Sequence, residues 1–180
     1  MGQTVRLSAW HLGEDCAVVA VGDHLSTWLE FREHARGDHR PDEQCRLTGL
    51  ARPVPPWLGA EDGRHPTTID IPGATIYWDA PHPADGPVDI TGVVSANKVD
   101  APDGFPQTLG VVTRVRMQWQ DYRTGEHGVC SPVPGTVRHE DIPSSYLPPE
   151  PIDSAPHTQE SRVVWTGVLV DLDVSLGDAP

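Results

Sequence analysis

Two long segments alternate between apolar and polar side chains, and they constrain the fold more than any other feature of the sequence. They run from Leu109 to Trp119 and from Arg162 to Val174. A period of two is typical of a β-strand with one buried face. In the second segment the alternation places Trp165 on the face opposite Val168. Its first half is apolar on both faces and its second half on one, which predicts a strand that starts in the core and ends at a sheet edge.

Shorter segments add a hairpin and a further strand. The stretch His24 to Phe31 fits both helical and strand spacing, and the alternation of its apolar residues favours a strand. The segments Thr67–Ile71 and Ala74–Trp78 flank Pro72-Gly73, a pair of residues typical of turns. We therefore predict two short strands joined by a tight turn.

Glycine and proline mark special places within the predicted strands. Gly92 and Gly167 occupy equivalent positions in two similar apolar-Thr-Gly-apolar-apolar units. A glycine inside a strand often marks a bulge or a bend where a sheet curls toward closure. The segment Val129 to Val133 can return as a partner of the first long strand, but Pro132 lacks an amide donor and confines it to an edge.

The composition sets the fold class. With 19 prolines, 17 glycines and a hydrophobic fraction of 37%, the chain favours short strands and long loops around a modest core. A length of 180 residues is ordinary for one β domain. We predict a mainly β protein with a single antiparallel sheet domain over residues 1–180, a partly closed barrel or sandwich with long proline-rich loops. Residues 143–158 form a proline-rich linker or strap within it.

The net charge narrows the range of partners. At −13 the chain repels nucleic acid and anionic membranes, because binding to either depends on lysine and arginine. The amino terminus lacks a secretory signal, and no apolar run approaches the roughly 20 residues that span a bilayer. These features argue against nucleic acid and predict no membrane partner.

Cysteine and lysine usage indicate the compartment and the source. Cys16, Cys45 and Cys130 are odd in number, far apart and without a CxxC pair, which fits reduced thiols in the cytoplasm. Lys98 is the only lysine among 13 basic residues, an imbalance typical of GC-rich actinobacterial genomes.

A metal site is the first chemical hypothesis. His34, His39 and Cys45 place three groups able to bind zinc in and beside one loop. Zinc needs three or four such groups to converge. The spacing matches no compact zinc pattern, and a charged loop with scattered histidines is the competing interpretation. Zinc is the only cofactor that the sequence brings into question.

The sequence assigns no catalytic residue, which argues against an enzyme. Cys130 lies near His127, but Gly125-Glu126-His127-Gly128 is typical of a hairpin turn, and the chain has no nucleophile signature around Cys130. Asp171 and Asp173 point to the same side of their strand and could bind a divalent cation in a cleft. Two acids that protect an exposed sheet edge from aggregation are the simpler explanation.

An interaction surface is the remaining hypothesis. Trp57 lies in a proline-rich loop beside Pro55 and Pro56, and an exposed tryptophan next to proline can anchor an interface. The alternative is a tryptophan packed into the core. Arg114 and Arg116 share one face of their predicted strand, an arrangement that could also contact a single nucleic-acid strand.

The stretch Val21-Gly22-Asp23 leading into Trp28, the central Gly-Val strands and residues 167–174 together resemble a family of small actinobacterial β-rich proteins with no assigned activity. The resemblance covers about a fifth of the chain. It implies a β-rich domain and a bacterial source, and it carries no functional residues.

These observations predict a non-catalytic, acidic accessory module that binds an unidentified protein partner. The alternative is a small-molecule-binding or metal-assisted enzyme with a pocket at the barrel mouth. Binding of single-stranded nucleic acid is a third possibility, and the oligomeric state is left open.

Overall fold

The structure is a computed structural model that describes residues 2–8, 12, 18–33, 43–55, 63–97, 104–125, 129–145 and 161–174. Strands account for 73% of it. In chain order they are β1 (Gly2–Ser8), β2 (His24–Glu33), β3 (Cys45–Pro53), β4 (His65–Ile71), β5 (Ala74–Ala80), β6 (Gly86–Asn97), β7 (Thr108–Thr124), β8 (Cys130–Pro132), β9 (Arg138–Ile142) and β10 (Ser161–Asp173).

All ten strands belong to one sheet that closes on itself like a ring without forming a regular barrel. The hydrogen-bonded path from β10 through β1, β6, β2 and β7 returns to β10. A second path, through β3, β4 and β5, also joins β6 to β2. Among the described residues, β8 and β9 are each paired to β7 alone.

The predicted mainly β fold with a partly closed sheet is confirmed. Most pairings are antiparallel, as expected, but β1 with β6 and β2 with β5 are parallel, so the sheet is mixed. Alternation along a strand reports which face is buried and carries no information on the direction of the neighbouring strand. The two parallel pairings therefore lie beyond what the pattern could predict.

The ring encloses one cluster of buried apolar side chains to which most of the strands contribute. Phe31 on β2 and Trp78 on β5 meet edge to face, with their ring centroids 6.1 Å apart. Burial of such side chains contributes roughly 25 cal/mol for each Å² of apolar surface removed from water. The fully buried members with the largest side chains are Phe31, Leu29, Ile69, Ile76, Leu172, Val5, Val94, Val112, Val115, Val168 and Val170.

Several local predictions are confirmed. The ambiguous segment is a strand, β2, and its buried residues alternate from Thr27 to Phe31. β4 and β5 form the predicted hairpin, and Gly73 in the turn has a φ of 82°, a left-handed conformation that favours glycine. β8 pairs only with β7, so Pro132 lies on an edge strand as expected.

The prediction that β10 ends at a sheet edge is wrong. β10 is paired with β7 along most of its length, and residues 167–173 are also paired with β1. Asp171 and Asp173 therefore protect no free edge. The apolar alternation of this segment reports burial of one face, but the number of neighbouring strands depends on a partner from the other end of the chain.

The predicted special role of Gly167 is confirmed, because the register with β7 shifts there. Trp165 pairs with Trp119 and Gly167 with Gln118, so Thr166 is the extra residue of a bulge. The bulge turns Trp165 toward the core, on the same side as Val168 and contrary to simple alternation. Gly167 itself has a φ of 140°.

Only the start of the predicted strap, residues 143–145, lies within the described residues. Ser145 is buried, and its Oγ accepts a hydrogen bond of 2.8 Å from the amide of Val19. The amide of Ser145 in turn donates to the carbonyl of Val19 at 2.7 Å. Ala20 and Ser144 form an isolated β-bridge beside them. These contacts attach the segment after β9 to the segment before β2.

Candidate functional site: an arginine face on the outside of the ring

A bulge in β7 decides which side chains lie outside the ring. Val112 pairs with Leu172 and Arg114 with Asp171, so Thr113 is an extra residue in β7. The alternation restarts after it, and both Val112 and Val115 point into the core. Simple alternation along this strand predicts Val112 on the same face as Arg114, and the bulge is the reason that the two residues differ.

Four neighbouring strands place charged side chains on this outer surface. In register, Arg6 of β1 pairs with Leu169 of β10, Leu169 with Arg116 of β7, and Arg116 with Asp141 of β9. Strands lie about 4.8 Å apart, so these side chains are close neighbours. We call this surface the arginine face and define it by Thr4, Arg6, Arg114, Arg116, Asp141, Leu169 and Asp171.

Asp171 is the central acceptor of the arginine face. Its Oδ1 accepts a hydrogen bond of 2.7 Å from Thr4 Oγ1 and another of 2.7 Å from a terminal nitrogen of Arg116. The Arg116 side chain is 11% exposed and that of Asp171 25% exposed. Because both partners are largely removed from water, this pair is held more firmly than a surface ion pair.

Arg114 forms a more exposed pair at the rim. Its Nε and a terminal nitrogen donate to the two carboxylate oxygens of Asp141 at 2.7 and 2.9 Å. The hydrogen bond from Arg114 holds the pKa of Asp141 below its usual range, and the same contact raises the pKa of Arg114. Both side chains are more than half exposed, so the pair contributes little to stability.

Two guanidinium nitrogens on this face lack acceptors. Nε of Arg6 and Nε of Arg116 are buried without a hydrogen-bond partner. Within the described parts of the chain, Arg6 has no hydrogen bond or ion pair at all, whereas Arg116 keeps its contact with Asp171. A buried N–H without an acceptor is costly, so these two atoms distinguish the arginine face from an ordinary charged surface.

A buried polar cluster adjoins the arginine face along β7. The side-chain amide of Gln118 donates to Glu43, which lies just before β3, and both residues are buried. Nε2 of His139 lies 4.0 Å from the same Glu43 carboxylate. Sequence reasoning missed Glu43, because an acid at the end of a charged, polar loop gives no sign that it is buried.

The residues predicted to bind metal are only partly within the described chain. Cys45 begins β3 and is half-buried. Burial raises the pKa of its thiol, although a hydrogen bond with the Gln3 side chain opposes that effect. His34 and His39 lie outside the described residues. Among the residues that are described, no three His, Cys, Asp or Glu side chains form a group that could hold a metal ion, and the zinc hypothesis stays a prediction.

The residues predicted to form an interaction surface also lie only partly within the described chain. Arg114 and Arg116 lie on one face, as expected, and each is paired with a carboxylate. Pro55 is exposed just after β3, while Pro56 and Trp57 lie outside the described residues. The role of Trp57 therefore stays a prediction.

Comparisons with known proteins give no further guide to this site. No protein-family model matches the chain, and searches of curated proteins and of solved structures return no match. The resemblance to an actinobacterial family stays a prediction. Within the described ranges, none of the helices is both long enough and apolar enough to cross a membrane.

Proposed function

We propose that this protein is a non-catalytic, acidic module that binds a basic surface of a protein partner. The observation that carries the proposal is the internal neutralisation of its arginines. In the part of the chain that the structure describes, six of them form ion pairs with carboxylates of the same chain, namely Arg32–Glu30, Arg46–Asp89, Arg52–Asp70, Arg114–Asp141, Arg116–Asp171 and Arg138–Asp121. Because much of the positive charge is neutralised in this way, the excess of acid in a chain of net charge −13 is left for a partner.

Exposed acids supply the attractive surface. Glu33, Asp85 and Glu140 are exposed and form no ion pair with any described residue. Charges of one sign at a surface attract partners of the opposite sign over about a Debye length and speed their association. Such surface charges increase the association rate more than they increase the affinity of the final complex. The proposal therefore predicts association rates that fall steeply as salt is added.

A peptide library tests the proposal. Displayed basic, neutral and acidic peptides of equal length are screened against the immobilised protein, and each hit is compared with its own shuffled sequence. We expect basic hits that bind better than their shuffled versions and that weaken with salt. The proposal would be overturned by hits that show no preference for basic peptides. It would also be overturned by basic hits that bind no better than their shuffled sequences, since attraction between net charges alone does not make a specific docking module.

Two variants of different net charge provide the matched comparison. The triple variant Glu33→Gln, Asp85→Asn and Glu140→Gln removes three unpaired acids, and we expect it to slow association with the basic hits. The double variant Arg46→Gln, Asp89→Asn removes an exposed ion pair and leaves the net charge unchanged. Its association rate should equal that of the unmodified protein. Equal rates for all three proteins would contradict the proposal.

The cytoplasm is the compartment we propose. Cys45 and Cys130 are free thiols, and free thiols persist where glutathione and thioredoxin keep cysteine reduced. Mass spectrometry of the protein from its native host, alkylated before lysis, tests this. Full alkylation of both cysteines is expected, and a disulfide at either would place the protein in an oxidising compartment.

A further inference from the structure

Arg6 is an anomaly in this molecule. It is half-buried on the outside of the ring, yet the described chain offers it no carboxylate, although the protein carries 26 acidic residues. A guanidinium that is partly removed from water without a counter-ion raises the free energy of the folded state. Thr4, two residues before Arg6 on β1, donates a hydrogen bond to Asp171. An acid therefore lies close to Arg6 along the strand, but it binds Thr4 and not Arg6.

Arg116 completes the arrangement from the other side. Leu169 of β10 lies between Arg6 and Arg116 in register, so the two backbones are about 10 Å apart, which is two strand spacings. Both arginines have a buried Nε without an acceptor. Leu169 itself is fully buried, so a shared solute has to lie over the ends of the two arginine side chains, where each is partly exposed.

Arg116 is held in place by the chain, whereas Arg6 is open to solvent at its end. Asp171 holds one terminal nitrogen of Arg116 and is itself fixed by Thr4. Of the three guanidinium nitrogens of Arg6, only Nε is a buried atom without a partner, so its terminal nitrogens keep their access to solvent. A solute can therefore reach Arg6 while Arg116 stays in place.

We propose that Arg6 and Arg116 form a binding site for a solute that carries an oxyanion, with Arg6 as its main contact. The planar fork of a guanidinium matches the two oxygens of a carboxylate or of a phosphate and binds either with two parallel hydrogen bonds. Such an oxyanion accepts from the terminal nitrogens, because the two buried Nε atoms are out of a solute's reach, and it supplies the counter-charge that no described residue gives Arg6. Asp171 positions Arg116 and, through its own charge, leaves Arg6 to provide the larger share of the attraction.

This site is independent of the docking proposal, because it uses a half-buried pair of cations and not the acidic surface. It also supplies a concrete binding role for the alternative in which the protein takes up a small molecule. Failure of one proposal leaves the other untouched, since the peptide library and the test below use different probes.

Nuclear magnetic resonance of the arginine Nε–Hε groups tests the site directly. Inorganic phosphate and acetate are titrated separately into the full-length protein at constant ionic strength. We expect the Arg6 and Arg116 signals to shift together and to saturate with one dissociation constant. The Arg138 signal, from an exposed arginine already paired with Asp121, should move little. Saturation by phosphate alone identifies a phosphate-bearing ligand, and saturation by acetate a carboxylate.

Variants of Arg6 distinguish the contribution of the planar guanidinium group from that of its positive charge. Arg6→Gln should abolish the saturable shift of Arg116, and Arg6→Lys, which keeps the charge and loses the fork, should weaken binding about tenfold. Arg138→Gln is the matched control and should bind like the unmodified protein. The proposal is overturned if neither anion produces a saturable shift, if all arginines shift alike, or if Arg6→Gln binds normally. The titration of the unmodified protein decides the matter even if a variant fails to fold.

Discussion

At the scale of single residues, the outer surface of the ring is built from hydrogen bonds to a few acids. Asp171 accepts hydrogen bonds from Thr4 and from Arg116. These two residues belong to β1 and β7, which lie on opposite sides of β10. A carboxylate that accepts two such bonds connects β1, β10 and β7 across the sheet. Because Asp171 is only 25% exposed, its hydrogen bonds are worth more than those of a surface acid.

The substitution Thr4→Val tests the value of one of these bonds. Valine keeps the shape of threonine and removes the hydroxyl, so Asp171 loses a donor. We expect the free energy of unfolding to fall by about 1–2 kcal/mol in urea titrations, since the lost bond is to a charged group. The control is Thr68→Val on β4, where the hydroxyl makes only a 3.4 Å contact with the Arg52 carbonyl. That change should stay within about 0.5 kcal/mol, and equal effects of the two would contradict the assignment.

Cys45 gives a prediction on pH dependence. Burial raises the pKa of its thiol in the folded protein, so the fold favours the protonated form. This contribution to stability is present below the pKa of the unfolded chain and is lost as the pH rises through the folded value. Alkylation requires the thiolate. We expect the pH profile of Cys45 alkylation, followed by peptide mapping, to lie at higher pH in the native protein than in urea. Coincident profiles would be the contrary result.

At the scale of elements, two bulges shape the longest strands. An extra residue in β7, Thr113, and an extra residue in β10, Thr166, each reverse the alternation of the side chains that follow. The hydroxyl of Thr113 donates to the carbonyl of Asp171 at 3.0 Å, and that of Thr166 donates to the carbonyl of Gln118 at 3.4 Å. Bulges bend strands and increase their twist, which suits a sheet that closes on itself.

The bulge in β10 depends on Gly167, whose φ of 140° is rarely adopted by other residues. We expect Gly167→Ala to lower the free energy of unfolding by about 1–3 kcal/mol, because alanine must strain the backbone or shift the register. Urea titration measures the change. Gly2→Ala on β1 is the control, since a Cβ there meets nothing within 4 Å. A Gly167→Ala protein as stable as the control would show that the bulge tolerates a side chain.

At the scale of the whole molecule, the two ends of the chain close the ring. β10, the last strand, lies between β7 and β1, the first strand, and β1 reaches β6 through a single parallel pair, Arg6 with Ser95. Among the strands that the structure describes, β8 and β9 are attached only to β7. The described part of the chain thus combines a closed ring with two short strands that each have one unpaired edge.

Hydrogen exchange of the native protein checks this division. We expect the amides of residues 167–173 in β10, which have neighbours on both sides, to exchange more slowly than those of β8 and β9 by at least about tenfold. β4 lies between β3 and β5 and should be protected like β10. Mass spectrometry of peptic fragments resolves these strands. If β9 exchanges as slowly as β10, its outer edge is covered, in contradiction to the pairing described here.

The sequence by itself determined the features that depend on neighbouring residues. The alternation of β2, the turn at Gly73 and the edge position of Pro132 all follow from local side-chain spacing or backbone preference. Such features are predictable because a period of two, a left-handed glycine or a missing amide acts within a few residues.

Only the tertiary structure decided which strands are neighbours and which polar groups are buried. The contact between Glu43 and Gln118 joins residues 75 positions apart, and the pairing of β10 with β1 joins the two ends of the chain. Arg6, an ordinary polar residue in the sequence, became a candidate binding group because β10 places Leu169 between it and Arg116. Pairing between distant segments is set by the packing of the whole core and by chain closure, and neither leaves a periodic signal in the sequence.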